Sequence, residues 1–583
     1  METMEAPRAK GLQRTMDTIK LGHRFRLAQT SKSQFEASCD QIEKFIAPFT
    51  GGRLPGNDGE STIEWRRLQV WDFTALDGAQ KLAANIHGSV TSPAIRWCRM
   101  NLRDKTAMDD ADARTYADEV TDRTFDALQD SDFNTEISSA YLDLVAYGNA
   151  FVMCEPVNEF VWEGLDFTSI PLCEGFFEED RKGRIKTFFR LILWSARQIE
   201  DKFGSEDLPD VVKEALKTPD GANKTFEVVF CIDERPDRMK KWKGMKKQPS
   251  MLAKHLRPWG SCYFLLQNHE PLGEEGGYYE MPVFLARWEK TAGSAWGHGP
   301  GHTALPTVKY LNAWMETQKK AQEKAVDPTT LVNERGLLSD IDHAPGAMVV
   351  VRDPEKDIRV LESGSKFNEG RDAIAELRAM IRQIFHVDEL QLKDSPAMTA
   401  TETQVRYELM NRVMGSTLAR LQSDLLDPLL HLVVNILARA RQLPKMPSVI
   451  RESGGDYSLE YQGPLSRAQR TDEVAAIERG AAFVAGLLKM GFEDVRDDFD
   501  PGEAVREAFK RLGVPAKVLP SETKRNQRRK AREELMARMA QAEAARAEGE
   551  AAQQGADAVA AAQGAGLPVP ASPTPVVSPT LAA

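Results

Sequence analysis

His298 and His302 stand four residues apart, with Asp342 and His343 some forty residues on, and imidazoles joined by a carboxylate are a donor set for a divalent metal. The setting argues otherwise. Gly297, Gly299, Pro300 and Gly301 surround the two histidines, and a turn of that composition does not place positions four apart on one helical face. Glu178, Glu179 and Asp180 form an acidic run that could hold a divalent ion or act as paired carboxylates; shortly before Lys182 and Gly183, it also reads as a solvated turn. Two basic clusters complete the set. Residues 238–247 place Arg238, Lys240, Lys241, Lys243, Lys246 and Lys247 around Trp242, a composition that suits phosphate with an interleaved ring or, more simply, a solvated hairpin or loop. Residues 524–532 hold six Lys or Arg and no acid, with Arg528, Arg529 and Lys530 at their centre. The choice there lies between a charged helical face and a patch facing DNA.

Around these groups no known reaction motif forms. The sequence lacks GxxxxGK[ST], HExxH and GxSxG, and no GxGxxG follows a strand to open a helix, so an ATP-driven motor is not expected. No catalytic residue, cofactor site or metal site is assigned. The 583 residues suffice for about three to five domains. With 42% hydrophobic and 28% charged residues, most of the chain should fold. A net charge of −11 means that any contact with nucleic acid is local or weak. The six cysteines, at 39, 98, 154, 173, 231 and 262, form no CxxC pair and fit a reducing cytosol. No window approaches the apolar length of a membrane span, and the N-terminus lacks the apolar run of a secretory signal.

The elements that must position these residues fall in blocks. Up to about residue 148 the chain reads as helical, with Ile137, Tyr141, Leu144 and Val145 on one face of a helix that Tyr147-Gly148-Asn149 closes. From 150 to about 290, short runs such as AFVMCEPV, TFFRLILW, TFEVVFCID, SCYFLLQ and VFLARW predict strands, with one short helix capped by Ser195 and ended by Gly204. A long helix over 303–326 and a second from about Arg371 flank some forty residues of strand and turn character. Residues 388–400 read as an exposed loop, and the helix that follows reaches about Arg441 with a kink at Asp427-Pro428. Helix returns over 464–549. Residues 551–583 carry one charge, Asp557, among Ala, Gly, Gln, Pro and Ser, and read as a disordered low-complexity tail. The fold class is α+β, mainly helical and multidomain.

Five stretches, in order over about 34–475, resemble the head-to-tail connector, or portal, proteins of short-tailed, T7-like bacteriophages. They are Thr91-Ser92-Pro93 with Trp97 and Leu102; Tyr147-Gly148-Asn149-Ala150; Trp296-Gly297-His298-Gly299-Pro300 before Ala304-Leu305-Pro306 and Lys309-Tyr310-Leu311-Asn312; Thr399-Ala400-Thr401-Glu402-Thr403 with Arg406, Glu408, Gly415 and Leu421; and Gly463-Pro464-Leu465-Ser466-Arg467-Ala468-Gln469-Arg470. The chain departs from the pattern at His298, where arginine is expected, and at Ser466, where alanine is more usual.

The resemblance implies a ring, usually of twelve subunits, at one capsid vertex of the virion, assembled in the host cytoplasm, with double-stranded DNA passing through its centre. It divides the chain into a wing region (1–302), a first stem helix (303–326), a clip (327–370), a second stem helix (371–387), a tunnel loop (388–400), a long wing helix with a return strand (401–465), a helical crown (466–550) and the tail (551–583). Gln391, Lys393 and Ser395 would then face the channel, with Lys393 the cationic candidate. The partners implied are other copies of the chain, terminase, tail or adaptor proteins, and the major capsid and scaffolding proteins, with no membrane. Two other classes stay open: an adaptor or scaffolding protein organised by its long helices, and a metal-dependent hydrolase using His298 and His302.

Overall fold

The computed structural model describes residues 16–48, 70–93, 96–103, 110–159, 161–206, 208–244, 252–291, 293–326, 330–333, 350, 352–353, 358–360, 367–387, 414–452, 457–461, 464–490, 502, 504–505, 508–509 and 522–564. Helix α1 (Thr18–Phe45) starts where the Asp17 carboxylate accepts from the backbone N–H groups of Ile19 and Lys20, and it buries Leu21, Phe25, Phe35 and Ile42 along one stripe. Helices α2 (Thr74–Val90), α3 (Ala111–Gln129) and α4 (Phe133–Tyr147) follow, with strand β1 (Cys98–Leu102) between α2 and α3. Gly148, at φ 73°, ends α4 and turns the chain into β2 (Asn149–Pro156).

Eight strands continue the mixed region: β3 (Leu165–Ile170), β4 (Gly175–Glu179), β5 (Ile185–Ser195), β6 (Thr225–Glu234), β7 (Trp259–Leu265), β8 (Pro271–Tyr278), β9 (Val283–Arg287) and β10 (Glu289–Lys290), which pairs with β11 (Gly297–His298). Three helices lie among them: α5 (Ala196–Phe203), α6 (Asp210–Leu216) and α7 (Pro236–Gly244). Strands β4 to β8 form an antiparallel meander in chain order, and β2 is the centre of a second sheet ordered β3-β2-β9. Alternation along β5 sends Phe189 and Leu191 towards the α1 stripe, where Phe25 meets Phe176 and Phe189 edge-on. On the opposite face α5 and α6 bury Ile199 and Val212 against Phe226 and Val228. The predicted strands and the α5 helix are present, and the Ser195–Gln198 capping box satisfies two of the helix's first N–H groups.

Helix α8 (Pro300–Val326) lies against α9 (Phe367–Ile384), and Trp314 Nε1 donates to the Gly370 carbonyl at 3.4 Å. The first of these starts three residues before the predicted 303, because Pro300 is suited to a first helical position that has no N–H bond to lose. Between the two helices, β12 (Thr330–Val332) and β13 (Ile358–Val360) pair antiparallel; the remainder of 327–366 lies outside the described residues apart from 333, 350 and 352–353. Helix α10 (Met414–Arg439) holds a π-helical turn at Gln422–Leu426, directly before the predicted kink site. Pro428 has no N–H to donate, and the widened turn absorbs that gap without breaking the helix. Contrary to the sequence expectation, α10 is long and apolar enough by composition to cross a membrane; over half of that stretch is buried in the fold, where Leu425, Leu429 and Val433 join the main core.

After α11 (Ser448–Glu452), strand β14 (Tyr457–Tyr461) pairs with β1, Cys98 opposite Tyr461 and Leu102 opposite Tyr457. Two more helices close the described chain, α12 (Pro464–Lys489) and α13 (Glu522–Gly564). The second of these corrects the tail expected over 551–583: residues 551–564 are helical, because alanine, which dominates them, is the strongest helix former despite its low complexity. Residues 565–583 lie outside the described set.

Candidate functional site

Two of the five sequence stretches, 150 residues apart, meet at the root of α8. Asn149 is fully buried; its side-chain amide donates to the Gly297 carbonyl at 2.9 Å and accepts from the Gly297 N–H at 2.8 Å. One side chain thus satisfies both polar groups of a buried peptide. The next turn packs equally close: a Cβ on Gly301 would lie 2.0 Å from the Ala146 carbonyl oxygen. Only glycine lets the first turn of α8 approach the end of α4 so nearly. A third stretch performs the same service elsewhere. Thr91 Oγ1 donates to Tyr141 Oη, and the Trp97 ring stacks on Tyr461 of β14 at 6.3 Å, while Tyr461 Oη donates to Asp427 at 2.5 Å. These motifs hold the α8–α9 pair and α10 onto the helical block.

His298 and His302 come together, with ring centroids 5.1 Å apart, but their other contacts are structural. The Gly299 N–H donates to His302 Nδ1 at 3.4 Å, so the neutral ring carries its proton on Nε2, 3.3 Å from Ser38 Oγ. Phe35 stacks on the same ring, and burial, with His298 beside it, holds the His302 pKa down at about 4. Among the described residues no cluster of three or more His, Cys, Asp or Glu has metal-binding geometry; Asp342 and His343 are outside them.

The acidic run 178–180 is neither a cation site nor simply a solvated turn. Glu178 is bound by Arg24 of α1, whose guanidinium also reaches Asp233 at 2.9 Å and Thr187 at 2.5 Å. Glu179 pairs with Arg287 and with Lys290. Asp180 alone behaves as a turn residue, accepting from the N–H groups of Lys182 and Arg184. Lys32 is a second anchor for α1. Its ammonium is buried, donates to the carbonyls of Leu172, Cys173 and Gly175, and sits 4.1 Å over Phe176. Burial pushes its pKa down to about 8. Neither Arg24 nor Lys32 stands out in the sequence, because apart from Glu36, 3.7 Å from Lys32 and one turn on, their partners are 140 to 209 residues away. A polar residue at an otherwise apolar position of the α1 stripe was the available signal for Lys32.

The first basic cluster departs from expectation. Instead of a solvated hairpin or loop, 236–244 is helix α7, and Trp242 is buried with its ring 5.6 Å from Tyr279. The ring that would have interleaved with bases is committed to packing. Lys240, Lys241 and Lys243 remain exposed, whereas Lys246 and Lys247 lie outside the described residues. Arg528, Arg529 and Lys530 are exposed on α13. Gln391, Lys393 and Ser395 fall outside the described residues, as do 401–413.

Among the described residues two sizeable cavities stand out, one against α1 and α4 and the other in the mixed region. One, of about 330 Å³, is lined by Lys32, Glu36, Asp40, Glu136 and Asp143. Burial pushes the Asp143 carboxyl up to about 7. The other, of about 680 Å³, lies between the β2–β3 hairpin, the end of β8 and α10. There Tyr279 is held between the guanidinium groups of Arg257 and Arg439, at 4.6 and 4.7 Å.

Comparison with known proteins finds relatives over most of the chain. A portal protein of Salmonella phage epsilon15 is 26% identical over 92% of this chain and 94% of its own length. A probable portal protein of Bordetella phage BPP-1 is 25% identical over 84% of this chain and 87% of its own. Residues 19–519 match the family described as bacteriophage head to tail connecting protein. The junctions around Asn149, Gly301 and Trp97 all lie within that span, and the chain belongs to this family.

Proposed function

We propose that the chain is the portal protein of a short-tailed bacteriophage: copies of it close into a ring, usually of twelve, at one capsid vertex, and double-stranded DNA enters and leaves through the central hole. Family membership across 19–519 carries the reading. The α8–α9 pair would be the stem that crosses the shell, with β12 and β13 in the clip, where terminase docks during packaging and tail or adaptor proteins follow. Major capsid and scaffolding proteins would surround the stem and wing, and assembly would take place in the host cytoplasm.

Physical chemistry supports a conduit. A ring of heterologous contacts closes when the rotation between neighbours divides a full turn, and it leaves a hole on its axis. A net charge of −11 limits the number of phosphates that the protein neutralises, and therefore the grip that each released counterion would add to a sliding duplex. Negative-stain images of the purified protein test the reading: closed rings with a central hole are expected. Irregular or elongated particles would favour an adaptor or scaffold, and a chain that stays monomeric under all assembly conditions would overturn the ring. Stoichiometric bound metal together with hydrolytic turnover would revive the hydrolase.

A further inference from the structure

We infer that the first three turns of α13 bind the phosphate backbone of double-stranded DNA through Arg525, Arg528, Arg529 and Arg532. Their spacing of i, i+3, i+4 and i+7 puts all four within an arc of about 100° on one face, over roughly 10 Å of helix. Lys530, although central in sequence, is turned about 150° away from that face. Arg528, Arg529 and Arg532 are exposed, and among the described residues none of their side chains has an ion pair or hydrogen bond, even though Glu533 and Glu534 follow directly. Arg525 is half-buried, and its buried Nε has no acceptor.

The placement is unfavourable for the helix itself. The backbone dipole leaves partial positive charge over the first turn, so Lys524 and Arg525 there cost stability, and beyond it the like charges of Arg528, Arg529 and Arg532 repel their neighbours one turn away and favour an anion docked from outside. Residues 522–532 hold six cations and one carboxylate, Glu522, in a chain that is acidic overall. Planar guanidinium forks in a row fit phosphate oxygens in pairs and read no base. The choice of duplex DNA as the source of phosphate rests on the portal reading. Leu535, Met536 and Met539, each more than half exposed, continue the same side of α13, so a protein partner is the competing occupant.

The test compares the full-length protein with R528A/R529A/R532A, in which alanine preserves or raises helix propensity. Fluorescence anisotropy with a labelled 30-bp duplex is followed from 50 to 300 mM salt. Three lost phosphate contacts should lower the slope of log K against log salt by about 2.7 and weaken binding at least roughly tenfold at 100 mM. R528K/R529K/R532K should keep most of the slope. An unchanged slope in the alanine variant overturns the inference. So does loss of rings, or loss of binding to phosphatidylserine vesicles, while DNA affinity is kept. Electron micrographs of the same preparations keep the two readings apart: wild-type rings without a salt-slope change sink only the DNA contact, and absent wild-type rings sink the portal.

Discussion

At the scale of single residues, the strongest demands come from buried polar groups with few partners. Asn149→Ala would leave the N–H and carbonyl of Gly297 buried and unpaired, a loss of about 2–4 kcal/mol. A lower urea midpoint checks this, and loosening should be greatest at the root of α8. Asp143 makes a pH-dependent prediction. Its folded pKa of about 7 stands above the ordinary 3.8, so between those values the folded chain keeps a proton that the unfolded chain has lost. Stability therefore falls as pH rises through this window, and the deficit is complete above it. Asp143→Asn should raise the urea midpoint at pH 8 and leave it unchanged at pH 3; an equal gain at both would assign the effect to packing. The residues behind these predictions differ in legibility. Tyr147-Gly148-Asn149 was visible as a helix end, but the bond from Asn149 to Gly297 spans 148 positions, and no local pattern reports it.

Elements were legible where one physical cause dominated. Short runs rich in β-branched and aromatic residues revealed β2, β5, β6, β7 and β9, and Ser195 and Gly204 marked the two ends of α5. Where causes competed, reading failed. In α7 the lysines masked a helix whose buried anchor, Trp242, gives no periodicity by itself, and in 551–564 alanine's helix propensity was hidden by low complexity. The same propensity yields a prediction for α12. Gly480 lies within that helix with no atom near enough to obstruct a Cβ, so Gly480→Ala should stabilise it by about 0.5–1 kcal/mol. Slower amide exchange over 474–489 by roughly two- to fivefold would show it. Gly301→Ala, which meets the Ala146 carbonyl, should destabilise.

For the whole molecule, the family and its mixed helix-and-strand architecture were legible because five short stretches keep their order across most of the chain. The candidate channel residues were legible only through resemblance; nothing local in 388–400 specifies what they face. Lys393→Ala tests that assignment: rings should form normally while packaging or retention of DNA changes. Normal packaging and retention would remove Lys393 from the channel.

The ladder between β1 and β14 joins residues 98–102 to 457–461, so the first strand cannot find its partner until some 355 further residues have been made. At a ribosomal pace of about 5–20 residues per second, that delay is roughly 20 to 70 seconds. Throughout it a nascent chain exposes an open strand edge, a template for pairing with a neighbouring polypeptide on the same message. Productive synthesis should consequently be more sensitive to crowding of ribosomes on the transcript than to the stability of the finished fold.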